Sequence, residues 1–150
     1  GTRHSAALLK SVRSYDYSRQ LYQKETEALS TVDSADYNWA AVQRGMYLMA
    51  NDITSSSNTV YYTLGNYSYN GVSLPVAAKT GTSQLGEGKT NNAIFMCYAP
   101  FDDPEIAVAI VVERGLSGAN LSRMARNVLD AYFSLGSISN TAERENSLLK

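Results

Sequence analysis

Val76-Ala77-Ala78-Lys79-Thr80-Gly81-Thr82-Ser83 opens apolar and turns polar at Lys79, and two longer apolar runs follow it, Ala93 to Ala99 and Ile106 to Glu113. Each has the length and the β-branched or aromatic content of a strand. Asp102-Asp103-Pro104 supplies turn chemistry between the last two. Connections this short favour antiparallel order, because a parallel crossover takes about a dozen residues or more. The second and third runs are apolar at odd and even positions alike, which predicts strands in the middle of a sheet covered on both faces. Ala107 and Ala109 share one face of the third strand and leave room for a helix to approach closely.

Downstream, Leu121, Met124, Ala125, Val128, Leu129, Tyr132 and Phe133 recur at the spacing of one helix face. Ser117 or Asn120 is placed to cap this helix and Gly136 to end it, leaving 137–150 as a polar, flexible tail behind a domain of residues 1–136. Upstream, Ala6 to Ser14 reads as a strand, Tyr15 to Ser18 as a turn, and Leu21 to Thr31 as a second strand. Ser34 and Asp36 then open a helix expected to bury Trp39, Val42, Met46 and Met49. The Ser-rich stretch Thr54 to Asn58 breaks that pattern, and Asn66 to Asn70 with Gly71 reads as loop, with one short helical turn between. The expected class is α/β, an antiparallel sheet with flanking helices.

The chain has 150 residues, enough for one domain with its own core. A net charge of -1 with interspersed signs gives no basic face for nucleic acid. The single cysteine, Cys97, excludes an intrachain disulfide, and the single histidine, His4, has no ligand set around it. Neither a metal nor another cofactor is expected. No run approaches the roughly 20 apolar residues of a membrane span. The opening Gly1-Thr2-Arg3-His4 reads as sequence from within a domain, so a piece of a longer parent is expected and no targeting signal is legible.

Lys79-Thr80-Gly81-Thr82 carries the chemistry. A glycine removes the side chain that would keep a substrate backbone off the strand, the hydroxyls of Thr80 and Thr82 suit a carboxylate, and Lys79 adds positive charge. These are the parts of one edge of an acyl-transfer site for a peptide ending in a free carboxylate.

With its surroundings the motif resembles the class B penicillin-binding proteins. The residues that carry the resemblance are Val76 to Gln84, Asn92 to Pro100 and Asp102-Asp103-Pro104-Glu105-Ile106-Ala107-Val108, in the family's order of KTGT strand, strand ending in Ala-Pro, DDPE-type turn, apolar strand and last helix. Gly1-Thr2-Arg3 is similar to the family's Gly-Gly-Thr-Arg stretch, downstream of its nucleophile. Ala78 stands where many relatives have Gly.

The resemblance implies the C-terminal part of a penicillin-binding, β-lactamase-like transpeptidase fold. By it, Lys79 supports the serine of a second motif, Thr80 holds the carboxylate of substrate or β-lactam, Gly81 permits close approach, and Thr82 gives its backbone N–H to the oxyanion. The family signature is S-x-x-K, S-D-N and K-T-G, and only the third fits here, so the chain is expected to lack the nucleophile and to be inactive alone. The implied partners are peptidoglycan stem peptides, β-lactams and the missing N-terminal part of the same domain. The implied location is the extracytoplasmic face of the bacterial membrane, the parent being anchored by a segment absent here. A β-lactam sensor or binding module, and a D,D-carboxypeptidase or β-lactamase relative, remain open.

Several look-alikes compete. Ser147-Leu148-Leu149-Lys150 spells S-x-x-K in the polar tail, and Ser56-x-Asn58 and Ser68-x-Asn70 spell the second motif too close before Lys79. Ser83 to Thr90 nearly spells a nucleotide-binding GxxGxGKT, but a phosphate loop needs a helix directly after Lys89-Thr90, and strand follows. It is expected to be a hairpin loop. Cys97 reads as a core thiol, and Tyr61, Tyr62, Tyr67 and Tyr69 as packing residues more than a glycan platform.

Overall fold

The computed structural model describes residues 1–54 and 58–145, with side chains for all of these except Asn58 and 136–145. The chain divides into two compact units, Gly1–Ala40 and Ala41–Lys150.

In the first unit, β1 (Thr2–His4) pairs antiparallel with β4 (Ala28–Thr31), and β2 (Ser11–Arg13) with β3 (Gln20–Gln23). The turn after β2 is held by Asp16, which accepts hydrogen bonds from Ser14 Oγ at 2.6 Å and Ser18 Oγ at 2.8 Å. Those hydroxyls, Ser14's first, hold the exposed Asp16 carboxyl down at about 2. The two long strands expected over Ala6–Ser14 and Leu21–Thr31 are three short ones, β2 in the first span and β3 and β4 in the second, and β1 precedes both. Each ladder contains a register shift, between Arg3 and His4 and between Val12 and Arg13, and the apolar Leu8 and Leu9 lie exposed outside both. Apolar content measures fit to a pleated surface, and here no such surface lies beside those residues.

Helix α1 (Asp36–Asn51) crosses the division. Its expected apolar face is buried only toward its end: Ala50 is fully buried, Trp39, Met46 and Met49 are half-buried, and Val42 is exposed. Asn51 donates from Nδ2 to the Tyr47 and Val76 carbonyls at 2.9 and 2.8 Å, which ties the helix end to the approach to the main sheet. Where loop with one helical turn was expected, α2 (Asn58–Leu64) buries Val60 and Leu64. The expected loop at Asn66–Gly71 holds a hairpin, β5 (Ser68–Tyr69) and β6 (Val72–Ser73). Asn70 (φ 49°) and Gly71 (φ 79°) are both left-handed, as a two-residue hairpin turn requires.

The main sheet has the order β7 (Ala77–Ser83), β8 (Asn92–Ala99), β9 (Ile106–Val112), antiparallel throughout, and β7–β8 runs without a register shift from Ala77↔Tyr98 to Ser83↔Asn92. A 3₁₀ turn (Gly118–Leu121) leads into α3 (Ser122–Glu145). One sheet face packs with these: Ala78, Ala93, Phe95, Cys97 and Ala99 form a core with Leu121, Ala125, Leu129, Val60, Leu64 and Tyr67. The other face is covered only in part: Ala77 is buried and Tyr98 half-buried there, but Met96 and Val111 are exposed and β9 is an edge strand among the described residues, so full coverage on both sides and a central place for β9 do not hold. Composition reports that a strand tolerates burial; coverage depends on what lies beside it. Ala107 and Ala109 lie away from α3 and line, with Met46 and Met96, an apolar groove of about 280 Å³.

Neither expected cap acts through its side chain. Ser117 precedes the 3₁₀ turn with no side-chain cap bond, and Ser122 Oγ turns back to the Ala119 carbonyl at 2.8 Å. The buried stripe of α3 is Ser122, Ala125 and Leu129, continuing from Leu121 of the 3₁₀ turn, with Met124, Val128 and Tyr132 exposed on its rim. The helix passes Gly136 and runs to Glu145, so helix occupies most of the expected tail; 146–150 lie outside the described residues. A mid-helix glycine costs about 1 kcal/mol, too little to stop a helix with no proline behind it.

Candidate active-site strand

Among the described residues β7 is an edge strand, paired with β8 on one side only. The four residues expected to carry the chemistry stand together on it. Thr80 and Thr82 lie opposite Phe95 and Ala93, whose side chains are buried toward the helices, so both hydroxyls belong to that face. Lys79 and Gly81 lie opposite Met96 and Ile94, on the other face. Thr82 and Lys79 are exposed and Thr80 half-buried. Neither threonine hydroxyl bonds to a described residue, while Lys79 Nζ donates to the Thr80 carbonyl. The strand thus offers a primary ammonium, two free hydroxyls and an unpaired backbone edge within four residues, which suits a carboxylate-bearing peptide aligned alongside.

Gly118 was not expected to matter. It is buried, and a Cβ on it would meet the main-chain oxygens of Gly81 and Ile94. The 3₁₀ turn therefore rests on the backbone of the motif itself. The signal in sequence was only a glycine before a helix.

Ser83 to Thr90 joins β7 to β8; Lys89 is exposed, and the residues after Thr90 enter β8, with no helix. The geometry of a phosphate loop is therefore missing. Cys97 is buried, and desolvation pushes its thiol up to about 11, the state of an inert core cysteine. His4 is exposed on β1. Ser68 and Asn70 belong to the β5–β6 hairpin, while Ser56 and Ser147–Lys150 lie outside the described residues. Tyr67 is buried: its hydroxyl donates to Asp130 Oδ1 at 2.8 Å, and the Arg126 guanidinium covers its ring at 4.7 Å. Tyr62, by contrast, is exposed.

The profile of the penicillin binding protein transpeptidase domain matches residues 1–130. The peptidoglycan D,D-transpeptidase MrdA of Haemophilus influenzae is 30% identical over 109 residues, covering 63% of this chain and 16% of that protein. Penicillin-binding protein 2B of Streptococcus pneumoniae is 29% identical over 119 residues, 75% of this chain and 16% of its own length. The chain thus spans about a sixth of these curated relatives. Among solved structures, penicillin-binding protein A of Mycobacterium tuberculosis superposes with a TM-score of 0.63 at 21% identity, covering 87% of this chain and 30% of that one. Penicillin-binding protein 2 of Helicobacter pylori, solved in complex with MreC, superposes at 0.59 and 23% identity, covering 78% and 20%. At these identities the superpositions speak for the fold.

Proposed function

Since this chain belongs to the penicillin-binding protein transpeptidase family, we propose that it is the substrate-strand portion of a peptidoglycan D,D-transpeptidase. The serine nucleophile and the second-motif serine are then supplied by the rest of the same domain, outside this sequence. The observation that carries the reading is β7, an edge strand on which Lys79, Thr80, Gly81 and Thr82 stand with both hydroxyls unbonded among the described residues.

In this reading a stem peptide ending in D-Ala-D-Ala lies along β7 with its terminal carboxylate on the Thr80 hydroxyl, assisted by that of Thr82. The penultimate carbonyl oxygen meets the Thr82 backbone N–H. The serine oxygen attacks that carbonyl carbon, and negative charge gathers on the oxygen, where a donor is worth roughly 100- to 1,000-fold in turnover. The C–N bond breaks, and the terminal D-Ala leaves with a proton on its amine. An amine of a second stem then attacks the acyl ester, the C–O bond breaks, and the serine recovers its proton while the cross-link forms. A β-lactam follows the first half, its ring amide opening onto the serine. Lys79 contributes positive charge near the second-motif serine, and Gly81 keeps the strand surface open to the peptide. The work is done at the extracytoplasmic face of the bacterial membrane, where the substrate lies.

Fluorescent penicillin applied to membranes of the source cells tests this. A labelled band heavier than 16.4 kDa should yield peptides of this sequence, and the purified protein should cross-link stem peptides. Labelling without cross-linking would favour a sensor. Absence of label on every band containing these peptides would remove the acyl-enzyme reading.

A further inference from the structure

The loop between β7 and β8 and the turn after β9 enclose a cleft of about 440 Å³ at the end of the sheet, lined by Leu85, Gly88, Lys89, Thr90 and Arg114. Two of the residues that line it, Lys89 and Arg114, are cationic. Among the described residues the one ion pair is Arg126–Asp130, so neither Lys89 nor Arg114 is ion-paired, although Glu87 and Glu113 are close in sequence. Arg114 is held by its backbone: its N–H donates to Asn92 Oδ1 at 3.0 Å with φ at 55°, and the Leu116 N–H bonds to the Asn91 carbonyl at 3.1 Å. The turn carrying one cation is thereby fixed to the start of β8, beside the loop carrying the other.

The cleft lies beyond the C-terminal end of β7, and the proposed function sets the direction of a peptide there. With the terminal carboxylate at Thr80 and the penultimate carbonyl at Thr82, the peptide runs from C- to N-terminus as β7 runs from N to C. Leu85 is three residues past Thr82 and two past the end of β7, so at strand spacing of about 3.3 Å per residue it can lie no more than about 10 Å beyond Thr82. The part of the substrate two or three residues upstream of the reacting bond therefore arrives at the cleft. We propose that this cleft receives a carboxylate carried by that part of the stem peptide, bound by Lys89 and Arg114. The inference rests on the transpeptidase reading and adds a preference: stem peptides with a free carboxylate there react faster than those with a carboxamide.

The test uses the full-length enzyme and two peptides ending in D-Ala-D-Ala, identical except for carboxylate or carboxamide on the residue two positions before the penultimate one. The control substrate is 6-aminopenicillanic acid, which has no acyl side chain to extend past Thr82. The wild type should prefer the carboxylate peptide about tenfold in kcat/KM, and Lys89→Gln with Arg114→Gln should abolish the preference while control acylation and Tm stay unchanged. Lys89→Glu, on an exposed loop, should reverse the preference and carries the test alone if Arg114→Gln misfolds. Equal rates for the two peptides in the wild type, or a preference that survives these substitutions, would overturn the subsite. A wild type not acylated by 6-aminopenicillanic acid would instead overturn the transpeptidase reading, and the subsite with it.

Discussion

Gly118 lies against Gly81 so closely that a Cβ on Gly118 would stand 2.5 Å from the Gly81 carbonyl oxygen and 2.9 Å from its nitrogen. Main-chain atoms in a paired strand cannot rotate away, so Gly118→Ala must displace either the 3₁₀ turn or β7. It is expected to cost about 3 kcal/mol, read as a lower Tm, and to slow penicillin acylation of the full-length enzyme. Gly81→Ala differs: its Cβ would meet the Ile94 Cβ at 3.3 Å, a tight but side-chain contact. Its stability cost should stay below about 1.5 kcal/mol, while acylation should fall further if, as proposed, the substrate lies along β7. A Gly118→Ala protein that melts and acylates like the wild type would show that the turn does not rest on β7.

Thr80→Val and Thr82→Val keep volume and strand propensity and remove only the hydroxyls. Because neither hydroxyl bonds to a described residue, Tm should hardly change. If they hold the substrate carboxylate, each loss is a hydrogen bond to a charged group worth roughly 1.5–3 kcal/mol, and penicillin acylation should slow by about one to two orders of magnitude. Stopped-flow acylation of the two full-length variants decides this. Wild-type rates in both would leave Lys79–Thr82 a structural strand.

Intact-mass spectrometry of the isolated 150-residue chain after incubation with penicillin should show no adduct, since no activated serine is recognisable in it. A stoichiometric mass increase would place a nucleophile within these residues, with Ser147 of Ser147-Leu148-Leu149-Lys150 the first to replace.

Alkaline pH should weaken the fold. Desolvation raises Cys97 from 9.0 to about 11. Desolvation, then the hydrogen bond to Asp130 and that carboxylate's charge, raise Tyr67 above 10.0, against the opposing charge of Arg126. Both groups hold their protons more tightly folded than unfolded. Their contribution is therefore complete below about pH 9 and is lost as pH rises through the folded values. Tm should decline from about pH 9 upward, and Tyr67→Phe should flatten the decline above pH 10 while costing about 1 kcal/mol at pH 7. Cys97 should stay unmodified by a thiol reagent at pH 8 until the protein unfolds. Rapid native labelling would contradict its burial.

How far these features were legible follows from how local each one is. β7, β8 and β9 could be read because strand length, turn residues and short connections all lie within the segment itself, and Lys79–Thr82 because its four residues are consecutive. The partial exposure of the second sheet face could not, since Met96 and Val111 have the same composition whether or not something covers them. The β5–β6 hairpin was overlooked although Asn70-Gly71 is a strong turn signal, because its strands are too short to show alternation. Gly118 could not be found at all: its partner, Gly81, is far away in sequence, and a glycine that must touch backbone looks like any other glycine.

The ladder from Ala77↔Tyr98 to Ser83↔Asn92 fixes where Lys79–Thr82 sit without help from the loop that closes it. Lengthening a loop costs little, about 0.6 kcal/mol for each doubling, and none of that cost reaches the register. Residues 84–91 can accordingly change in length and charge without moving Lys79–Thr82. In the transpeptidase reading proposed above, the loop could therefore be remade to suit a different peptide while the strand kept its place.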